Sequence, residues 1–339
     1  MPNNPTKILL STTLIGGILI SVSSNSWLGA WMGLEINLMS FIPLMSSQEN
    51  IYTTEASLKY FLVQALASSS LMFLVMMKAL MNQMIVTSSL HSYAIMTPLL
   101  LKMGAAPLHW WFPSVMEGLS WTNCLLMMTV QKTAPMMLIS YLMSTTPLAL
   151  LIILMSVVAG SLGGMNQTSL RKILTYSSIN HTGWMLAAML GGSNTWLMYF
   201  AVYSFLTSTV TFTAKSYNIS FVSQTLMMNK SAETKFMLFM TLLSLGGLPP
   251  FIGFLPKWIV IQLMIMNNLS FTVAVMVVMS LTTLYYYLRM CYASFMVLHE
   301  EPKWNTWTST KTKTILMGVM LSSTSMLGLL LCTSIININ

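Results

Sequence analysis

The chain has 339 residues, of which 55% are hydrophobic and only 6% are charged, and its formal net charge is +8. A soluble domain carries about 25% charged residues, so this composition excludes a soluble protein and indicates an integral membrane protein. The basic residues are spread thinly at the ends of apolar segments, which argues against nucleic-acid binding. The three cysteines stand alone in apolar surroundings and predict neither a disulfide framework nor a metal site.

Apolar segments of about 20 residues, the length that crosses a bilayer core, recur along the whole chain. We predict an all-α polytopic membrane protein with about eleven spans and no soluble domain. The first span has no small-residue cleavage site, so we expect it to be retained. The predicted spans lie near 8–24, 27–46, 56–77, 92–112, 120–143, 147–165, 169–190, 195–217, 235–266, 269–296 and 314–335.

Two of these spans contain a matching interruption. Residues 104–113 and 247–256 both read G-x-x-P, a large apolar residue, three further residues, another large apolar residue and Pro. Proline lacks a backbone N–H and clashes with the preceding turn, so both helices should break there. In lipid, a broken helix is tolerated only where protein or a water-filled cavity covers the loosened backbone. A lysine lies beside each break, Lys102 before the first and Lys257 after the second.

The breaks fall in spans 4 and 9, and this spacing of five predicts an internal repeat. Because five is odd, the second five-helix unit would be inverted in the membrane, as in many transporters. Chance is the competing explanation, since Gly and Pro are common in membrane helices. We predict a first half over 1–146, a second half over 147–296, and a loop with the last span over 297–339.

The basic residues segregate to one side of the membrane in this topology. The positive-inside rule places that side, which holds the N-terminus, in the cytoplasm or the mitochondrial matrix. The C-terminus would lie on the opposite side, because the number of spans is odd. The far side carries only Lys78, whereas the N-terminal side carries Lys7, Lys59, Arg171, Lys172, Lys215, Lys230, Lys235, Arg289, Lys303, Lys311 and Lys313.

Five ionisable residues lie near the middle of predicted spans, where such groups are rare and mark ion or proton pathways. They are Glu35, Lys102, Lys132, His181 and Lys257. Loss of water favours the neutral form of a lysine, and a nearby carboxylate favours its ammonium form. Movement of the Glu35 charge would therefore switch a lysine between holding and releasing a proton. The alternatives are structural ion pairs that orient helices and, for His181, an ordinary packing role.

Motifs that bind redox or nucleotide cofactors are absent from the sequence. It contains no G-x-G-x-x-G, no G-x-x-x-x-G-K-[ST], no H-E-x-x-H and no C-x-x-C. We therefore expect no NADH, flavin, ATP or iron–sulfur cluster on this chain.

Five stretches of the sequence are distinctive: LLLKMGAAPLHWWFP at 99–113, QKTAP at 131–135, SLRK at 169–172, YSSINH at 176–181 and GGLPPFIGFLPKW at 246–258. Together they resemble NADH-ubiquinone oxidoreductase chain 2, a family of mitochondrially encoded, antiporter-like subunits of respiratory complex I. The similarity runs over nearly the whole chain. The abundance of methionine, 35 residues, and the lack of a cleavable presequence look like an invertebrate mitochondrial product.

The resemblance implies a proton-translocating core subunit with two inverted five-helix repeats. It implies that Glu35 and Lys102 act as a coupled pair in the first half and that Lys132 is the central connecting lysine. It implies that Lys257, at the second broken helix, leads towards the exit and that His181 belongs to a hydrated central axis. Redox chemistry in other subunits would drive this proton translocation.

The resemblance also implies which cofactors lie on other subunits, which partners the chain has and where it is located. NADH, FMN, iron–sulfur clusters and ubiquinone would belong to other subunits. The expected partners are the other membrane-arm subunits of complex I, including neighbouring antiporter-like subunits, together with membrane lipid and protons but no nucleic acid. We expect a multi-pass protein of the mitochondrial inner membrane, with its N-terminus in the matrix and its C-terminus in the intermembrane space.

Two other functions fit the residues taken alone. A free-standing proton/cation antiporter would use the same broken helices and would transport ions as a purified chain. A structural scaffold would use the buried charges only to fix helix packing, and isosteric neutral substitutions would leave pumping intact.

Overall fold

The computed structural model describes residues 5–47, 50–80, 88–226, 232–292 and 322–324. Within these ranges the regular structure is helical, and the one β pairing is an isolated bridge between Ser169 and Phe221. The predicted all-α, multi-pass membrane class is therefore confirmed. Among the described residues, six helices are long and apolar enough to cross a membrane: Pro5–Ser23, Trp27–Met45, Ile51–Leu80, Pro147–Gly164, Asn194–Tyr217 and Ser270–Tyr292.

The chain divides into two compact units, Met1–Ala149 and Leu150–Asn339. The first contains α1 (Pro5–Ser23), α2 (Trp27–Met45), α3 (Ile51–Leu80), α4 (Ser88–Met103), α5 (Trp111–Gly118), α6 (Trp121–Met128) and α7 (Val130–Ser140). Helix α8 (Pro147–Gly164) begins at the boundary, and the second unit continues with α9 (Leu170–Gly191), α10 (Ser193–Tyr217), α11 (Val222–Leu226), α12 (Ala232–Gly246), α13 (Phe254–Met266) and α14 (Ser270–Tyr292).

Part of the predicted topology lies outside the described residues. This holds for the predicted last span near 314–335, of which only 322–324 are described, as helix. It also holds for the loop over 297–313 and for the basic residues Lys230, Lys303, Lys311 and Lys313.

The first predicted break is present at the end of α4. Gly104 there has a φ of +71°, a left-handed conformation that suits glycine because it has no Cβ. Its N–H donates to the carbonyl of Leu101, and the N–H of Ala105 donates to the carbonyl of Leu100, both at 3.1 Å. This pair of bonds is the Schellman motif that closes a helix. The chain then re-enters a helix at α5.

The second predicted break is present between α12 and α13. Gly247 has a φ of +81°, and its N–H donates to the carbonyls of Leu243 and Ser244, both at 3.1 Å. Pro249 and Pro250 follow and cannot supply the N–H groups that another helical turn needs. Both interruptions therefore end a helix with a left-handed glycine.

The predicted span over 120–143 is not one uninterrupted helix. It divides at Thr129 into α6 and α7. The Thr129 hydroxyl donates to the carbonyl of Leu125 at 2.7 Å, and such a bond to the residue four positions back bends helices. Pro135 lies inside α7 and does not mark the interruption. The sequence contains no Gly or Pro at the interruption itself.

Glycines bring α1 and α2 into backbone contact. A Cβ on Gly33 would lie 2.5 Å from the Ser21 nitrogen, and one on Gly17 would lie 2.9 Å from the Asn37 nitrogen. Small residues allow such close approach between membrane helices. The contact fixes the part of α2 that carries Glu35.

Helix α9 is the buried centre of the second unit. It is less apolar than the six long spans because it carries a run of polar side chains, and most of its residues are buried. Gly160 of α8 packs directly on the α9 backbone at Tyr176 and Asn180. A polar helix of this kind is stable at membrane depth when protein surrounds it.

Candidate functional site

Lys102 lies in the last turn of α4, beside the first break, and only 7% of its surface is exposed. A positive charge in the last turn of a helix is favoured by the helix dipole. Glu35 on α2 is half-buried and interacts electrostatically with Lys102. No salt bridge within 4.0 Å joins them, the one such pair in the described ranges being Lys59 with Glu55. Glu35 and Lys102 therefore interact electrostatically without forming a direct ion pair.

A small cavity with room for about one water molecule lies beside Lys102. Its polar lining residues are Asn37, Tyr60, Gln64, Lys102 and Gln131. Asn37 and Gln131 exchange two hydrogen bonds, of 3.0 and 3.1 Å. The Tyr60 hydroxyl donates to Gln131 Oε1 at 3.3 Å, and Gln64 Nε2 donates to the carbonyl of Lys102 at 3.2 Å. The surroundings of Lys102 are thus polar and ordered.

Lys132 follows Gln131 on α7 and is 2% exposed. Its Nζ lies 5.0 Å from the centroid of the Phe112 ring, a cation–π distance. The Phe112 side chain in turn packs against Gly104, where a Cβ would lie 3.1 Å from the Phe112 Cβ. Lys132 is therefore held close to the first break. The first unit contains three of the five predicted site residues: Glu35, Lys102 and Lys132.

Lys257 on α13 reaches back across the second break. Its Nζ donates to the carbonyl of Gly246 at 2.9 Å and lies 5.8 Å from the centroid of the Trp184 ring. Only 4% of the residue is exposed. The ammonium therefore caps the C-terminal end of α12, where unpaired carbonyls carry partial negative charge.

His181 lies on α9, three residues before Trp184, so Lys257 contacts this helix within one turn of the histidine. The Nδ1 atom of His181 lies 2.9 Å from the Tyr199 hydroxyl, and its ring centroid lies 5.1 Å from that of Tyr203. The second unit thus brings Lys257 of α13 against Trp184 of α9, within one turn of His181.

Sequence reasoning missed the neutral polar residues around the predicted charges. In the first unit these are Asn37, Tyr60, Gln64 and Gln131. In the second unit the buried Tyr286 and Tyr287 hydroxyls lie near Ser177, and the Tyr203 hydroxyl lies near Ser178. Each is a polar side chain within an apolar segment, and this feature could have identified them.

The described residues include no group of three or more His, Cys, Asp or Glu side chains that could hold a metal ion. The arrangement consists instead of single titratable groups, each set among neutral hydroxyl and amide groups. Such groups can hold and pass protons.

Comparisons with known proteins show the family of this chain. A family model described as NADH:quinone oxidoreductase/Mrp antiporter, TM, matches residues 24–283. NADH-ubiquinone oxidoreductase chain 2 of Anopheles gambiae is 50% identical over 297 residues, which cover 86% of each chain. The protein of the same name from Locusta migratoria is 43% identical over 342 residues, 98% of each chain.

The fold is also similar to solved structures. Respiratory complex I from Thermus thermophilus with bound Aureothin contains a chain with a TM-score of 0.82 and 24% identity, covering 97% of this chain and 79% of that one. The Mrp complex of a Dietzia species contains a chain with a TM-score of 0.77 and 17% identity, covering 87% of this chain and 61% of that one. The insect relatives and the family model confirm the resemblance seen in the motifs, and the chain belongs to the NADH-ubiquinone oxidoreductase chain 2 family.

Proposed function

We propose that the chain is a proton-translocating core membrane subunit of respiratory complex I, driven by redox chemistry in other subunits. Protons would move through Glu35, Lys102, Lys132, His181 and Lys257 with intervening water. The observation that carries this proposal is the burial of three lysines at or beside helix interruptions, in a member of this family. A lysine at the bilayer centre costs roughly 2.5–3.5 kcal/mol on insertion scales, and such residues usually have a function.

The geometry suggests how the first unit would work. A shift of negative charge at Glu35 towards or away from Lys102 would change how firmly Lys102 holds its proton. The proton would then pass towards Lys132, which lies beside the same helix break. In this scheme the interruptions matter because they leave backbone carbonyls and space that can accommodate water.

We also propose the finer topology. It has eleven spans, with inverted five-helix halves over 1–146 and 147–296 and the last span within 297–339. The left-handed glycines support the repeat, because α4 and α12 both end at such a residue. The N-terminus would face the matrix and the C-terminus the intermembrane space. Cleavage of a C-terminal epitope by protease added to mitoplasts is the expected result, and its protection would contradict this orientation.

We propose that the redox centres belong to other subunits of the complex and that this chain contacts neighbouring antiporter-like subunits and lipid. The absence of nucleotide and cysteine motifs from the sequence supports this assignment. The purified subunit should contain neither flavin nor iron. Stoichiometric amounts of either would contradict the assignment.

The proposed function is tested by removing one buried charge inside the assembled complex. Lys102→Met keeps a long apolar side chain but removes the titratable amine. Lys59→Met is the matched control, because Lys59 is 49% exposed and pairs with Glu55 at 2.6 Å. Protons translocated per NADH should fall at least twofold for Lys102→Met and should not change for Lys59→Met. Parental pumping by an assembled Lys102→Met complex would favour the scaffold function instead.

A free-standing proton/cation antiporter is the second candidate, because the chain shares its fold with one from an Mrp complex. The two functions differ in what the isolated chain does. Reconstituted alone in vesicles, a complex I subunit should show no sodium/proton or potassium/proton exchange, whereas an antiporter should show it. Exchange by the isolated chain would support the second candidate.

A further inference from the structure

A pair of buried amides joins the two helices of the first unit that carry Glu35 and Lys132. Asn37 lies two residues after Glu35 on α2, and Gln131 directly precedes Lys132 on α7. Asn37 Nδ2 donates to Gln131 Oε1 at 3.0 Å, and Gln131 Nε2 donates to Asn37 Oδ1 at 3.1 Å. We call this pair the amide bridge. Its residues are only 3% and 8% exposed, respectively.

The orientation of the amide bridge is fixed by a third group. The Tyr60 hydroxyl on α3 donates to Gln131 Oε1 at 3.3 Å, so this oxygen accepts two hydrogen bonds. Each primary amide has two N–H donors and two acceptor positions, and the reciprocal bonds use one of each. An amide bridge of this kind therefore keeps hydrogen-bonding capacity for a neighbouring water.

The cavity beside Lys102 provides the place for that water. Asn37, Tyr60, Gln64 and Gln131 line it together with Lys102, and it has room for about one water molecule. A cavity with this many polar groups suits an ordered water, which needs two to four hydrogen-bonding partners. Gln64 also donates to the backbone carbonyl of Lys102, which orders that side of the cavity.

We propose that Asn37 and Gln131, with Tyr60, are positioning residues that hold a water molecule for proton transfer between Lys102 and Lys132; this inference rests on the proposed function. The Lys102 ammonium gives a proton to this water, which passes one of its own protons to a further water on the way to Lys132, because Lys132 does not itself line the cavity. That further water gives one of its protons to the neutral amine of Lys132. Both waters are unchanged, Lys102 becomes neutral and Lys132 becomes an ammonium.

The experiment uses the assembled complex in vesicles and measures NADH turnover and protons translocated per NADH. Asn37→Leu and Gln131→Leu each remove one half of the amide bridge, and Tyr60→Phe removes one oxygen atom. Asn123→Leu is the matched control, since Asn123 Nδ2 donates to the carbonyl of Leu44 at 3.0 Å, a bond between helices away from the cavity. We expect the proton ratio to fall at least twofold for both bridge variants, less for Tyr60→Phe, and not at all for the control.

A rescue variant separates positioning from simple loss of packing. The double variant Asn37→Gln with Gln131→Asn exchanges the two side-chain lengths and keeps both amides. It should recover at least half of the proton ratio lost in Gln131→Leu. If a bridge variant prevents assembly, this double variant and Tyr60→Phe decide, because both change little volume.

The inference is overturned if Asn37→Leu and Gln131→Leu assemble and pump at the parental ratio. Where these two variants do not assemble, it is overturned if Tyr60→Phe assembles and pumps at the parental ratio. Lys132→Met, measured in the same series, distinguishes failure of the positioning role from failure of the proposed function. Impaired Lys132→Met beside normal bridge variants removes only the positioning role, whereas normal pumping by all of them removes the proposed function as well.

Discussion

The ammonium of Lys257 donates a 2.9 Å hydrogen bond to the carbonyl of Gly246, the last residue of α12. Because Lys257 belongs to α13, this bond crosses the second break and ties its two half-helices together. In the proposed scheme, loss of a proton from Lys257 or rotation of its side chain would weaken this hydrogen bond. In that scheme, proton transfer at Lys257 would be linked to the geometry of the second break.

Replacement of Lys257 should separate these two roles. Lys257→Met removes the donor and leaves a buried carbonyl without it, which costs about 1–3 kcal/mol, and it should also abolish pumping through this position. Lys257→Arg can still donate to Gly246 but keeps its charge, so it should assemble better than the methionine variant and still pump poorly. Thermal stability on native gels and vesicle acidification measure the two effects. An arginine variant that pumps at the parental ratio would contradict the role of Lys257 in proton transfer.

The glycine contact between α1 and α2 predicts a sharp difference between two alanine variants. Gly33→Ala places a methyl group against the backbone of Ser21, whereas Gly16 has nothing within 4 Å of the added Cβ. Overpacking of this kind costs about 1–3 kcal/mol. Gly33→Ala should therefore lower the yield or melting temperature of the assembled complex, and Gly16→Ala should not. Equal behaviour of the two variants would show that the helices do not meet at Gly33.

The first and second breaks could be predicted because Gly and Pro act on the backbone next to them. The motifs at 104–113 and 247–256 combine Gly with Pro, and in both cases the helix ends at the left-handed glycine. The interruption at Thr129 has no such marker. The Thr129 hydroxyl donates to the carbonyl of Leu125 there, but Thr207 makes the same kind of bond to Tyr203 inside the unbroken α10. The residue type alone therefore could not predict the interruption.

Removal of the Tyr199 hydroxyl should impair the proposed role of His181 in proton transfer. Tyr199→Phe deletes the group 2.9 Å from His181 Nδ1 and leaves the ring in place. The imidazole then loses the partner that orients it, and we expect protons per NADH to fall about twofold or more, with assembly intact. Tyr285→Phe is the control, because Tyr285 is 54% exposed. Identical proton ratios in the two variants would assign His181 a packing role.

The positions of charges in the chain were predictable, whereas their neutral partners were not. Glu35, Lys102 and Lys132 stand out because ionisable residues are rare in apolar spans. The bond between Asn37 and Gln131 joins residues 94 positions apart, and its existence depends on the register between α2 and α7. Sequence periodicity does not fix that register, so the amide pair becomes visible only in the fold.

In the proposed function a buried lysine of the first unit carries protons, and substitution of Lys132 tests this most directly. Lys132→Met keeps the apolar stem at a site that is 2% exposed but removes the amine, and Lys132→Arg keeps a charge that cannot be released. The measurement is vesicle acidification per NADH oxidised by the reconstituted complex, with assembly checked on a native gel. We expect both variants to assemble and to pump at less than half the parental ratio, with NADH turnover reduced as well. An assembled Lys132→Met complex with parental turnover and parental pumping would contradict the account and make Lys132 a structural residue.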